Sequence, residues 1–237
     1  ADPSWGRRAV SDRNAPGLTP TLSIGEGSPA LNHAGPNVLT TDQRGVGRPR
    51  GDGSDIGAYE YDYAGITTLY VKASTSDAQT CLDWDNACSL RTALKVATNG
   101  QEIWVASGIH TPTTGIDRTA TFQLKSGVAV YGGFDGTEKN RDQRNSAANL
   151  TTLSGDIGTP GNNSDNSYHV VTAYGINGAT LDGFTISGGH ANGAAPQNKG
   201  GGMYNYGSSP TVTNVIFSGN TASLDGGGMY VDNYSYP

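Results

Sequence analysis

GGGMYNYGSSPTVTNVIFSGN, residues 200–220, is followed almost at once by a copy of its own opening: GGGMY returns at 226–230, a shift of 26. Asn205-Tyr206-Gly207-Ser208-Ser209-Pro210 is echoed by Asn233-Tyr234-Ser235-Tyr236-Pro237, with one residue's difference in spacing from GGGMY. A second echo pairs ATLDGFTISGGHA (179–191) with PTVTNVIFSGNTA (210–222), a shift of 31. Self-similarity at two to three dozen residues marks a repeat architecture. Within TVTNVIFSGN, Val212, Asn214 and Ile216 alternate with Thr213, Val215 and Phe217. These residues are largely β-branched or aromatic and lie between Pro210 and Gly219, so strand is the expectation. Short strands joined by Gly, Asn, Ser and Asp turns at this spacing fit a right-handed parallel β-helix. In that solenoid each coil is one trip around a tube. Asn at turns tolerates left-handed backbone, and the Gly triplets permit close approach of successive coils. An antiparallel sandwich also has many short strands, but it does not require near-identical GGGMY blocks.

The same texture extends upstream. QEIWVASGIHTP (101–112), TFQLKSGVAVYGGF (121–134), LTTLSGD (150–156) and SYHVVTAYG (167–175) each read as strand then turn. LYVKAS (69–74) starts a new strand. The exception is CSLRTALKVATNG, where Leu90, Leu94 and Ala97 fall at helical spacing, Ser89 can N-cap and Gly100 follows as a stop. A short helix near 89–98 is expected to cap the first coil, whose open edge would otherwise recruit other strands.

Composition agrees with an all-β class. The 237 residues include 35 glycines, about twice the usual share, and only 15% are charged. Twelve tyrosines and three tryptophans argue for a folded body rather than disorder. The formal net charge is −6 with no Lys/Arg block, so nucleic acid is not an expected partner. No apolar run approaches the length of a membrane helix, and membrane insertion is not expected. The opening Ala1-Asp2-Pro3-Ser4-Trp5 has no basic and apolar leader character, which fits a mature chain or a fragment. Cys81 and Cys88, seven apart, can close a small loop in an oxidising compartment; two reduced, buried thiols are the alternative. They lack the further Cys and His partners of a zinc site.

Residues 1–62 differ from the rest. TDQRGVGRPRGDGSDIGAYE (41–60) holds seven charges in twenty residues. Asp42, Arg44, Arg48, Asp55 and Glu60 are read as an ion-pair network that fixes an irregular Gly/Pro-rich cap; an anion site on the arginines is the alternative. Residues 63–68 read as a linker and 69–237 as the β-helix.

The blocks LYVKAS, GQEIWVASGIHTP, FQLKSGVAVYGGFDGTEKNRDQRN, LSGDI and NSYHVVTAYGINGATLDGFTISGGHANG resemble bacterial surface β-helix proteins. GGGMYNYGSSPTVTNVIFSGN resembles the polymorphic outer-membrane-protein repeat. Residues 2–61 resemble the terminal module called the choice-of-anchor Q domain. In that family the module closes a β-helix at its C-terminal end; here it comes first and a fresh helix start follows. The resemblance therefore implies the end of one β-helix joined to the beginning of the next, one unit of a tandem or polymeric array. It implies an extracellular or bacterial cell-surface location and copies of the chain itself as partners.

Chemistry is harder to find. Asp83 with Asp85, Asp135 with Glu138, and Asp156 with Asp165 are the acidic candidates for Ca²⁺ in a pectate-lyase-like enzyme, but none forms the repeated stack on adjacent coils that a groove would need; turn capping explains Asp83 and Asp85, and a solvated loop Asp135 and Glu138. His33, His110, His169 and His190 are scattered and read as turn or surface residues. No GxSxG elbow or Gly-Lys-Ser/Thr phosphate loop occurs. No cofactor is expected and the protein is not expected to be an enzyme, a polysaccharide lyase or hydrolase being the remote alternative. Tyr204, Tyr206, Tyr230, Tyr234 and Tyr236 are read as a coil-to-coil ladder; carbohydrate stacking or an assembly surface is the functional alternative. The expected role is structural, a fibre or adhesin unit joined head to tail, with a glycan- or host-binding passenger segment as the runner-up.

Overall fold

The computed structural model describes residues 66–73, 80–233 and 235–237, together with 30, 34, 40–43, 48, 54 and 56. The chain is mostly β. It runs through β1 (Thr68–Val71), α1 (Leu90–Val96), β2 (Glu102–Ala106), β3 (Gly108–His110), β4 (Phe122–Gln123) and β5 (Ala129–Phe134). A 3₁₀ turn (Arg141–Gln143), β6 (Thr151–Ser154), β7 (Val171–Tyr174), β8 (Asn177–Asp182), β9 (Thr185–Ser187) and β10 (His190–Ala191) follow. The last strands are β11 (Met203–Tyr206), β12 (Ser209–Thr213), β13 (Ile216–Ser218), β14 (Thr221–Ala222) and β15 (Met229–Asp232).

Every strand pairing is parallel. One sheet has the order β1-β2-β5-β8-β12, a second β3-β6-β9-β13, a third β4-β7-β11-β15, and β10 pairs with β14 alone. After β2 the chain visits the three large sheets in the same order on each pass and adds one strand to each. The sheets are open, not closed barrels.

Register reproduces the sequence echoes. Leu181 pairs with Val212, Thr185 with Ile216 and His190 with Thr221, all at the shift of 31. Met203 pairs with Met229 at the shift of 26, because the link from β14 to β15 is five residues shorter than the link from β10 to β11. The glycine blocks sit where successive passes touch. A Cβ on Gly201 would lie 2.2 Å from the Thr221 carbonyl oxygen, and one on Gly202 would lie 2.4 Å from that of Gly228. The echo of Asn205 by Asn233 does not carry into strand register, where Asn205 pairs with Val231, although Ser208 and Ser209 still bond Ser235 and Tyr236 one pass on. Asn233 instead takes a left-handed turn conformation, φ 54°.

A second correction concerns 211–220. Val212, Asn214 and Ile216 do not share a face along one strand. Asn214 adopts φ 51° and ends β12, and its amide donates to Asp182 Oδ1 at 2.8 Å. This left-handed corner resets the side-chain alternation. Val212, Val215 and Phe217 therefore turn toward the core, while Ile216 is exposed.

The interior is one apolar cluster running through the passes, including Leu69, Ile103, Val130, Leu181, Phe184, Ile186 and Met203. Helix α1 forms as its spacing predicts. Ser89 Oγ accepts from the Thr92 amide, and Leu90, Ala93, Leu94 and Val96 are buried. It packs over β1, β2 and β4 at the start of the stack. Strand β1 begins at Thr68, one residue inside the stretch read as linker, and Thr67 already accepts a backbone bond from Glu102.

Candidate functional site

The third sheet carries the tyrosines. Side chains alternate along β11, so Met203 and Asn205 enter the core while Tyr204 and Tyr206 stand outward. Register places Tyr204 between Thr172 and Tyr230, and Tyr206 between Tyr174 and Asp232. The Tyr204 and Tyr230 centroids are 5.8 Å apart at 19°, and Tyr174 and Tyr206 are 4.9 Å apart at 12°. Tyr204 and Tyr206 join the two columns at 6.4 Å and 5°. Such pairs contribute about 0.5–1.5 kcal/mol each beyond burial. Burial, then the nearby Asp232 carboxylate, raises the pKa of Tyr204. Lys199 Nζ donates to the Tyr230 hydroxyl at 2.9 Å, the main cause of that lysine's raised pKa. The stripe thus gathers Tyr204, Tyr206 and Tyr230 and adds Tyr174. Tyr174 escaped the sequence reading because it stands outside the GGGMY repeats. Tyr234 lies outside the described residues, and Tyr236 is exposed without a ring contact among them.

The last pass is the second feature. Leu181, Phe184, Ile186 and Met203 are at most 2% exposed. Their counterparts one pass on, Val212, Val215, Phe217 and Met229, are only partly buried. Ile216 and Leu224 are 62% and 61% exposed. Among the described residues no strand pairs beyond β12, β13, β14 and β15.

At the other end Cys81 and Cys88 form a disulfide. Its loop sets Trp84 against Tyr70 at 4.9 Å, edge to face. Phe134 lies 5.7 Å from Trp84 and stacks on Trp104 at 4.9 Å. Trp84 Nε1 donates to the Glu138 carbonyl at 2.8 Å. This aromatic group is structural, and sequence alone did not bring its members together.

Five of the six paired carboxylates, all but Asp85, are seen to hold turns. Asp83 Oδ1 accepts from the Asn86 amide at 2.7 Å. Asp135 Oδ1 accepts from Thr137. Glu138 takes the backbone N–H groups of Asp135, Gly136 and Thr137. Asp156 and Asp165 accept from the amides of Gly161 and Thr159. Among the described residues no three His, Cys, Asp or Glu side chains gather as metal ligands. His110 departs from its expected place. Alternation in β3 turns Ile109 outward and His110 inward, to 4% exposure, where its Nε2–H donates to the Ala106 carbonyl at 3.0 Å. His169 is also partly buried, its Nδ1–H donating to the Gly200 carbonyl. His33 lies outside the described residues.

Of the expected cap network, Asp42 is buried and Arg48 half-buried, and both have interaction partners. Arg44, Asp55 and Glu60 lie outside the described residues. Backbone bonds from Ala34 to Ser54, Ile56 to Ala30 and Arg48 to Thr40 tie parts of this region together. No described helix is long and apolar enough to cross a membrane.

Comparison with known proteins finds no matching family model, no similar curated protein and no similar solved structure.

Proposed function

We propose that this chain is a structural unit of an extracellular or bacterial cell-surface fibre or adhesin, built as a right-handed parallel β-helix that packs end to end with copies of itself. Parallel register at the sequence-repeat shifts, with the chain visiting its sheets in fixed order, supports the β-helix. The disulfide supports maturation in an oxidising compartment. The carrying observation is the stacking of like on like in register, Met203 on Met229 and Tyr204 on Tyr230, as an array of repeats requires. Among the described residues the pass of β12 to β15 leaves four inward side chains only partly covered, an edge that a further pass or a cap would bury. Completing the burial of Val212, Val215, Phe217 and Met229 is worth at most about 3 kcal/mol in gross hydrophobic terms, taking a third of a typical full-burial value for each. In this reading the 1–62 module of the next copy covers that edge, which gives a head-to-tail, non-closing polymer.

Electron microscopy and sedimentation of the purified chain test it. Filaments are expected. Val215→Asp with Phe217→Asp should leave single particles, because each side chain already sits partly in solvent and the charge falls on the contact. Removing residues 1–61 should have the same effect. Filaments that persist in both variants would refute the proposal, as would a chain that stays monomeric at every concentration.

A further inference from the structure

We propose that the groove between α1 and the Tyr174 end of the tyrosine stripe binds an acidic glycan. Two adjoining hollows of about 760 and 340 Å³ share Gln123 and Lys125, giving one open groove. That is room for a short oligosaccharide. Tyr174 stands in one wall and α1, with the turn that follows it, forms the other.

Three properties choose the ligand. The first is the ring. Tyr174 is 60% exposed, and its one ring contact among the described residues is the stack on Tyr206. Register runs this column through Tyr174, Tyr206 and Asp232; extending the β4–β7 register two residues past Gln123 brings Lys125 level with Tyr174, and both line the same hollow. A ring held flat by a neighbour loses little freedom when a second flat group stacks on it. The C–H face of a pyranose is such a group.

The second is charge. The charge rests on Lys125, which lines both hollows; Arg91 and Lys95 stand beside it with interaction partners of their own. Lys125 Nζ donates to the Lys95 carbonyl at 3.0 Å, and no described carboxylate pairs with it. Burial lowers its pKa, a cost that a ligand carboxylate or sulfate would offset. The third is the hydrogen-bonding inventory. Asn99 lines the α1 side and Ser126 the sheet side of the first hollow, and their amide and hydroxyl groups suit sugar hydroxyls; the Gln123 amide is held by the Leu124 carbonyl and the Thr172 hydroxyl. Together these call for a stacked ring, several hydroxyls and an anionic substituent. The site lies at the β4 edge of the third sheet, at the opposite side of that sheet from β15 in the last pass.

Affinity electrophoresis of the full chain through gels containing polygalacturonate, dextran sulfate, neutral dextran or polyglutamate provides the test. Retardation by polygalacturonate or dextran sulfate is expected, and which of the two acts tells carboxylate from sulfate recognition. Neutral dextran should leave the chain unretarded. Tyr174→Ala and Lys125→Gln should each weaken binding by about tenfold or more, whereas Tyr174→Phe should keep it. Tyr174 is exposed and Lys125 partly buried, and circular dichroism checks that the variants fold. The proposal is overturned if neither acidic glycan retards the chain, or if binding survives Tyr174→Ala. Equal retardation by polyglutamate would overturn it too, as the mark of a charge patch that ignores the sugar.

Discussion

Gly201 is wedged between successive passes, and adding one methyl group there should loosen the last of them. The residue has an ordinary φ, so left-handed strain plays no part. A Cβ would sit 2.2 Å from the Thr221 carbonyl oxygen and 2.8 Å from that of Gly227, against an ordinary contact of 3.4 Å or more. Both neighbours are backbone, so no rotamer change gives relief, and the last pass must retreat by more than an ångström. That stretches the bonds from Gly201 N to Gly226 O (3.2 Å) and from Thr221 N to Gly189 O (2.8 Å). Overpacking costs about 1–3 kcal/mol, and two weakened bonds add about 1 kcal/mol or more. Gly201→Ala should therefore lose about 3–4 kcal/mol, a fall of roughly 6–16 °C in Tm for a chain of this size. Gly219→Ala is the control. Its φ is 65° and its Cβ would meet nothing within 4 Å, so only the left-handed penalty of about 1–2 kcal/mol applies. Paired thermal melts, with hydrogen exchange at the amides of Gly201 and Met203, read the difference. A Gly201→Ala protein as stable as Gly219→Ala would refute the close packing of passes on which the fold rests.

Three further outcomes are expected. Replacing Cys81 and Cys88 by serine should cost about 2.5 kcal/mol from loop-closure entropy and shift Trp84 emission to the red as its loop loosens; an unchanged melt in reductant would contradict this. Burial lowers the pKa of His110 despite its bond to the Ala106 carbonyl, and that of His169 despite the Gly200 carbonyl. Both folded values thus lie below the unfolded value of about 6.5, so the unfolded chain binds more protons in that window. Stability is then fully present above about pH 6.5 and falls as pH drops through the folded values, which a Tm series from about pH 8 to 5 should record as a decline. Arg144 reaches across the 135–150 loop to Asp182 Oδ2 at 2.6 Å, while Asn214 holds the other oxygen at 2.8 Å. Asp182→Ala should cost about 2 kcal/mol by urea unfolding, and a loss below about 0.5 kcal/mol would show the pair to be solvent-screened.

The repeat was legible because stacked passes put like residues on like residues. Met203 over Met229 and Tyr204 over Tyr230 write the register directly into the chain. The helix was legible because its cap and apolar spacing are local. What escaped were decisions made by one backbone angle or by distant neighbours. Alternation at Val212, Asn214 and Ile216 looked like one strand because nothing in the pattern announces that Asn214 turns left-handed. Tyr174 and Tyr206 are 32 residues apart and share only a Tyr-Gly pair, too short to mark a repeat, and Lys125 lies just beyond a two-residue strand. Arg144 and Asp182 meet because the long 135–150 loop folds back. His110 looked like a surface residue until the parity of a three-residue strand turned it inward.

Parallel stacking also has a mechanical meaning. Force applied across the strands falls on backbone hydrogen bonds that act side by side within a junction and in series from one junction to the next. Those junctions are unequal. The last two passes are stitched through β8–β12, β9–β13, β10–β14 and β11–β15, whereas the first junction has β1–β2 as its one strand pair among the described residues, with the isolated Val71–Cys88 bridge and α1 beside it. Under tension the body should open from the helix-covered end and shed one pass at a time, so the chain has a built-in direction of failure.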